Sequence, residues 1–196
     1  MELNESIKDE KDNFAQSNKP AKLKQVSEID NKVYFTENDL VICSLEEKHI
    51  KETAELWANL ACIQQLYAPQ RYNFKFEDKN WQSFVRKKGE KEQNLFLVAH
   101  EKDKAEIKGF LYLQTITIPS SNLVIKGIIE DIYTKPQYRK QNIGNKMLKV
   151  AIEWAEKQNI KQVDLISLSS KTDLNYFYLN FIKGFKSATN LNLVPL

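Results

Sequence analysis

The feature that most restricts the fold is a change of rhythm near residue 140. Upstream of it, three apolar runs at 95–99, 109–118 and 125–134 are separated only by short polar turns, Asp103-Lys104 and Ser120-Ser121-Asn122. Strands joined so closely lie antiparallel. Downstream, Ile143, Met147, Leu148, Ala151 and Ala155 form one stripe of a helix over 142–158, followed by a strand at 163–168, a helix at 173–183 and a last short strand within 185–196. A strand that returns to its sheet through a helix is a parallel crossover. One sheet must therefore hold both kinds of pairing.

Before these runs, Leu40-Val41-Ile42-Cys43 reads as a strand. Ile50, Ala54, Trp57, Ala61 and Ile63 recur at helical spacing over 46–67, where Pro69 follows, and Phe76, Trp81, Phe84 and Val85 do so over 76–87, closed by Gly89. Trp57, Trp81 and Trp154 fall on helical stripes and read as core. The order β-α-α-β-β-β-α-β-α-β predicts an α/β (α+β) fold: a mixed, mostly antiparallel central sheet with helices on both faces. Residues 1–38 read as a polar N-terminal extension and 39–196 as one domain. Nine of the first 32 residues are apolar and 13 are charged, too few and too many to bury much surface.

Composition narrows the function classes. With 196 residues the chain is of one-domain size, and its 42% hydrophobic content suits a globular core. A net charge of +3 is too mild to imply nucleic acid, and no face interleaves aromatic with basic residues. Cys43 and Cys62 have no partner motif, and His49 and His100 stand alone in sequence, so neither a disulfide framework nor a metal site is expected. The absence of a long apolar run predicts no membrane span, and the acidic start MELNESIKDEKDNF is unlike a secretory leader, which makes the cytoplasm the expected location.

The stretch 127–146 carries the chemistry. A strand runs to Thr134, a turn contains Pro136, and a helix opens near Asn142; between them lie Arg139, Lys140, Asn142 and Gly144. Backbone N–H groups at such a helix start point outward, and the helix dipole favours an anion. Residues 135–161 carry seven basic and two acidic side chains, so the rest of the chain is net negative. A phosphate-bearing ligand is the natural inference. The spacing is neither Gly-x4-Gly-Lys-Ser/Thr nor Gly-x-Gly-x-x-Gly, which removes the two common nucleotide motifs. Just upstream, Glu130-Asp131 places carboxylates on a strand that should be buried, where a raised pKa suits a general base. Strict alternation predicts that the two face opposite sides of the sheet.

On these residues the chain resembles the GNAT superfamily of acetyl-CoA-dependent N-acetyltransferases. The family's Arg/Gln-x-x-Gly-x-Gly/Ala motif reads here Arg139-Lys140-Gln141-Asn142-Ile143-Gly144, and Ile129-Glu130-Asp131-Ile132-Tyr133 with Pro136-Gln137-Tyr138 also looks like family members. The resemblance covers about 40–196. It implies that acetyl-CoA lies where two central strands, 128–134 and 163–168, splay apart. Its pantetheine arm would pair with the backbone of Ile132 and Thr134, and its pyrophosphate would sit on Arg139 and the amides of Lys140, Gln141, Asn142, Ile143, Gly144 and Asn145. It further implies direct attack by an amine, with Glu130 as base and Asp131 second, a backbone N–H of Ile132 or Tyr133 for the oxyanion, and Tyr178 or Tyr176 protonating the thiolate. No metal is implied. Tyr67, Tyr72 and Phe74 fall where the family covers its acceptor, a small-molecule or peptide amine.

Two departures from the family pattern bear on function. Asn142 stands at the first motif glycine, and Asn180 stands where the family often has a tyrosine, because Phe177-Tyr178 comes two residues early relative to Gly184-Phe185. They motivate an alternative expectation, a catalytically impaired GNAT-fold protein that binds CoA or a partner. The twelve residues after Gly184 leave room for one short strand, so a homodimer completing the sheet, or the N-terminal segment covering its edge, is also expected.

Overall fold

The computed structural model describes residues 32–70, 78–119, 124–167, 172–184 and 189–195. Seven strands form one sheet in the order β1-β2-β3-β4-β5-β6-β7. The strands are β1 (Val33–Glu37), β2 (Leu40–Ser44), β3 (Leu95–Glu101), β4 (Ile107–Ile118), β5 (Val124–Thr134), β6 (Gln162–Ser167) and β7 (Asn190–Pro195). The helices are α1 (Ile50–Tyr67), α2 (Asp78–Gly89), α3 (Ile143–Lys157) and α4 (Thr172–Gly184). β1 through β5 pair antiparallel, whereas β5–β6 and β6–β7 are parallel. The mixed, mostly antiparallel sheet expected from the strand order is what forms. β1 is an addition: it lies within the stretch read as extension, and Asn38 turns it back onto β2 with a φ of 52°.

The sheet separates two cores. On one face α3 and α4 pack Met147, Leu148, Ala151, Ile152, Tyr178 and Phe181 against Leu97, Leu111, Leu113, Ile129 and Leu165. On the other, Trp57 of α1 and Val85 of α2 meet Phe96, Phe110, Tyr112 and Tyr133. Trp57 is the hub there, with the rings of Phe84, Phe96, Phe110 and Tyr112 at 4.9, 5.5, 5.1 and 5.7 Å. Trp57 and Trp154 are buried, as their helical positions predict. Among the described residues no helix is long and apolar enough to cross a membrane.

Two irregularities in β5 position the site. The first is a bulge. Tyr112 pairs with Asp131 but Leu113 pairs with Ile129, so Glu130 is the extra residue on β5. One extra residue resets the alternation. Glu130 and Asp131 therefore both face the α1–α2 side, which corrects the expectation of opposite faces: Glu130 reaches Lys88 of α2 and Asp131 reaches Gln64 of α1. The second is the end of pairing with β6. The parallel register runs from Lys126↔Gln162 to Ile129↔Leu165 and goes no further, although β5 continues to Thr134. Beyond Ile129 the two strands part. β6 instead stays with β7 as far as Ser167↔Pro195.

Candidate active site

The opening between β5 and β6 has a backbone wall. Lys135 N–H bonds to the Lys108 carbonyl at 2.9 Å, which makes Gly109↔Thr134 a pair whose own polar groups point away from each other. By alternation along the regular part of the ladder, Ile132 and Thr134 turn N–H and C=O toward the opening, while Tyr133 turns its own toward β4. The Thr134 carbonyl is already taken by Arg139 Nε, which leaves the Thr134 N–H and both polar groups of Ile132 facing the opening. Of the two expected for the oxyanion, Ile132 has its N–H on the open side. Gly109 is required opposite: a Cβ there would lie 2.5 Å from the Tyr133 carbonyl oxygen.

At one end of the opening sits the start of α3. Asn142 precedes the helix with φ 62° and ψ 12°, the left-handed conformation that asparagine tolerates better than other side-chain-bearing residues. Lys140 is also left-handed, at φ 64°. The first helical backbone bond is Lys146 N–H to the Asn142 carbonyl, 3.1 Å, and no Asn142 side-chain cap is made. The amides of Ile143, Gly144 and Asn145 thus precede the helix ladder, and this cradle of N–H groups is of the kind that suits an anion. The Asn142 side chain turns aside, accepting from Asn145 Nδ2 at 2.7 Å. Arg139 folds back, its Nε donating to the Thr134 carbonyl at 3.1 Å with its guanidinium 5.8 Å from the Tyr133 ring centroid.

Gly144 shows why the motif's last position is small. A Cβ there would lie 3.1 Å from the Phe177 ring and 3.9 Å from Ile132 Cδ1, so α3, α4 and β5 meet where a side chain must push the Phe177 ring aside. Beside this contact runs a cleft of about 410 Å³, lined by Asn142, Lys146, Lys149, Phe177, Asn180 and Phe181 among others. Two lysines and three asparagines, on α3, α4 and the residue before α3, give it donors suited to a phosphorylated ligand.

At the bulge sit the carboxylates. Gln64 Nε2 donates to Asp131 Oδ1 at 2.9 Å. Burial pushes the Asp131 carboxyl up to about 6; the Glu130 charge adds to the rise, and Gln64, Lys88 and the Trp57 indole oppose it. Glu130 Oε2 is 2.8 Å from Lys88 Nζ, which itself lies 4.5 Å over the Tyr112 ring and 5.5 Å over Phe84. Asn94 Nδ2 donates to the Tyr112 hydroxyl at 2.7 Å while its Oδ1 accepts from Thr115 N–H at 2.9 Å. Burial, with the Glu130 charge behind it, raises the Tyr112 phenol well above its ordinary value.

The two tyrosines expected to supply an acid are separated by the structure. Tyr178 is 2% exposed, inside the core under the opening, and burial followed by the Asp131 charge raises its phenol. Tyr176 is 68% exposed. Asn180 lines the cleft between α3 and α4. Tyr67 is exposed at the end of α1, and Tyr72 and Phe74 lie outside the described residues. Gln64, Lys88 and Tyr112 belong to the carboxylate cluster but were not legible in sequence: each is at least 18 residues from the group it meets, and helical phase alone marks only which face they occupy.

The model of the Acetyltransferase (GNAT) family matches residues 57–181. No curated protein sequence matches the chain. Among solved structures it is similar to a transcriptional regulator from Bacillus halodurans C-125, with a TM-score of 0.60 at 20% identity over 75% of this chain and 93% of that one. Glucosamine-6-phosphate N-acetyltransferase from Arabidopsis thaliana superposes with a TM-score of 0.57 at 16% identity, covering 76% of this chain and 92% of its own. Ribosomal-protein-alanine N-acetyltransferase from Brucella melitensis biovar Abortus 2308 gives 0.53 at 19% identity, covering 72% and 88%. These likenesses are of fold; the family match spans well over half of the sequence, across both the carboxylate bulge and the cradle, and by it the chain belongs to the GNAT family of acetyltransferases.

Proposed function

We propose that the protein transfers an acetyl group from acetyl-CoA to a primary amine by direct attack on the thioester. The observation that carries this reading is one of placement. The stretch of β5 that β6 leaves unpaired runs from the Glu130–Asp131 bulge to the amide cradle of α3. An extended thioester with a phosphate-bearing tail matches that layout, with backbone contacts from Ile132 and Thr134, as in strand addition to a sheet edge. Gln141 and Lys140 flank the cradle, and Arg139 adds charge beside it.

Asp131 is the favoured base, ahead of Glu130. A carboxyl near 6 is mostly ionised at neutral pH yet basic enough to take a proton from an ammonium. Glu130 is held by Lys88 and acts on Asp131 through its charge. As the amine nitrogen bonds to the carbonyl carbon, the Ile132 N–H is placed to donate to the developing oxyanion. Collapse breaks the C–S bond and the leaving thiolate takes a proton; Tyr178, inside the fold, is assigned that role in preference to exposed Tyr176, although burial makes its phenol a weaker acid. The acceptor approaches from the α1–α2 side, where the carboxylates face, and is a small-molecule or peptide amine. The reading takes the enzyme to act in the cytoplasm, and among the described residues the outer edges of β1 and β7 leave a sheet-completing homodimer open.

The test is thiol release from acetyl-CoA against a panel of amines: short alkyl amines, amino sugars, polyamines, and peptides with free N-termini or lysines. Acceptor-dependent release that Asp131→Asn lowers at least a hundredfold supports the reading. Undiminished binding of acetyl-CoA with no release from any class would instead select a binding protein.

A further inference from the structure

Cys43, His49 and His100 are scattered in sequence, yet folding brings them together. Strand pairing sets Cys43 opposite Val98 and Val41 opposite His100, and the turn after β2 carries His49 back over the same face. Cys43 and His49 are 2% and 3% exposed, and His100 is partly buried. Their ligand atoms all lie within 4.8 Å of one another, and the imidazole centroids are 5.5 Å apart. The cluster joins β2, β3 and the turn that leads into α1, with β4 between those strands and the bulge of β5.

The hydrogen bonds assign the lone pairs. His100 Nδ1 lies 2.8 Å from the Glu101 carbonyl, which can only accept, so Nδ1 carries the proton and Nε2 is left as a free donor to a metal. A ring nitrogen fixed by a backbone carbonyl is the usual support of a metal-binding histidine. His49 Nδ1 accepts the Glu46 N–H at 3.1 Å, which places its ring proton on Nε2.

We propose that Cys43, His49 and His100 form a site for a divalent transition-metal ion, with zinc the best match to one thiolate and two imidazoles. Bonds of about 2.0–2.3 Å in tetrahedral geometry set ligand atoms roughly 3.3–3.6 Å apart, so the cluster closes by about an ångström. The Cys43 thiol gives up its proton to solvent as the metal–sulfur bond forms. His49 binds through Nε2 after its proton moves to Nδ1, and the Glu46 N–H then loses its acceptor. Three protein ligands leave a fourth position for water. Such a site would tie β2, β3 and the entry to α1 into one unit.

The experiment uses the full chain, stripped with a chelator and titrated with Co²⁺. The expected result is one cobalt per chain, with tetrahedral d–d absorption and a thiolate-to-cobalt charge-transfer band, both erased by one equivalent of Zn²⁺. The band is lost in Cys43→Ser, kept in Cys62→Ser, and at least 100-fold weaker in apparent affinity in His100→Gln. Blocking exposed Cys62 with iodoacetamide in the native wild type leaves the band intact, a readout that needs no variant to fold. Absence of the band, its loss on blocking Cys62, or its survival in Cys43→Ser would overturn the proposal.

Discussion

Glu130 and Asp131 are consecutive on β5, yet both carboxylates reach the α1–α2 side of the sheet, because Glu130 is the extra residue of a bulge. The consequence is electrostatic. Burial, with the neighbouring Glu130 charge, lifts the Asp131 carboxyl to about 6, while Gln64 and Lys88 pull it the other way. A regular strand would send one carboxylate into the opposite core and leave a lone acid at the site.

This sets a pH profile. Asp131 must be deprotonated to act as base, so kcat/KM rises with pH through about 6 and levels above it. Asp131→Asn removes that limb and lowers kcat by about 10²–10⁴. Lys88→Met removes a charge that lowers the Asp131 pKa, so the limb moves to higher pH while the plateau changes less. A limb that stays in place in Lys88→Met contradicts the coupling.

The contact of Gly144 with Phe177 predicts a size limit. A Cβ 3.1 Å from the ring must displace it, and Gly144→Val costs about 1–3 kcal/mol by overpacking. Phe177→Leu in the same chain recovers part of that loss. Denaturant midpoints of the two single variants and the pair measure the coupling; strict additivity would contradict the contact.

Asn142 holds a left-handed φ of 62° at the first motif position. Asn142→Gly is expected to leave stability within about 0.5 kcal/mol, whereas Asn142→Val costs about 1–2 kcal/mol because a β-branched residue resists that conformation. Thermal unfolding of both variants checks the pair, and equal midpoints would contradict it.

Asp164 ties β6 to β5 through Lys126 and to β7 through Asn192, and also accepts from Gln162 on its own strand. Burial works to raise its pKa, but the three hydrogen bonds and the Lys126 charge outweigh it and hold the carboxyl below its ordinary value. A depressed carboxylate stabilises the fold above its unfolded pKa, near 4, and that share is lost as pH falls through the lower, folded value. Asp164→Ala leaves Lys126 unpartnered and costs about 3 kcal/mol at neutral pH. In an acid titration the gap between wild type and variant should narrow as pH falls; a constant gap would contradict the linkage.

Much of this was legible from residues alone. The change of rhythm near residue 140 pointed to the mixed sheet, and Asn142 ahead of an amphipathic stripe marked where α3 starts, because local geometry dictates both. Three things were not legible. The bulge at Glu130 depends on how β5 pairs with β4: Ile129 and Ile132, three apart with two acids between them, break strict alternation without saying which residue is extra. β1 was hidden in a polar stretch, since an edge strand needs only one buried face and Val33–Glu37 buries little. Lys88 and Gln64 join the carboxylates through the packing of helices distant in sequence, which no local pattern encodes.

The most direct measurement is the thermal unfolding of wild type and Arg139→Ala with and without acetyl-CoA. A ligand at about 100 times its dissociation constant stabilises by roughly 2.7 kcal/mol, which for a chain of this size is a shift of about 5–10 °C. The predicted result is that shift in wild type and its reduction by half or more in Arg139→Ala, with the two proteins matched in the absence of ligand. No shift in wild type at saturating acetyl-CoA would contradict the assignment of the opening beside β5 as its site.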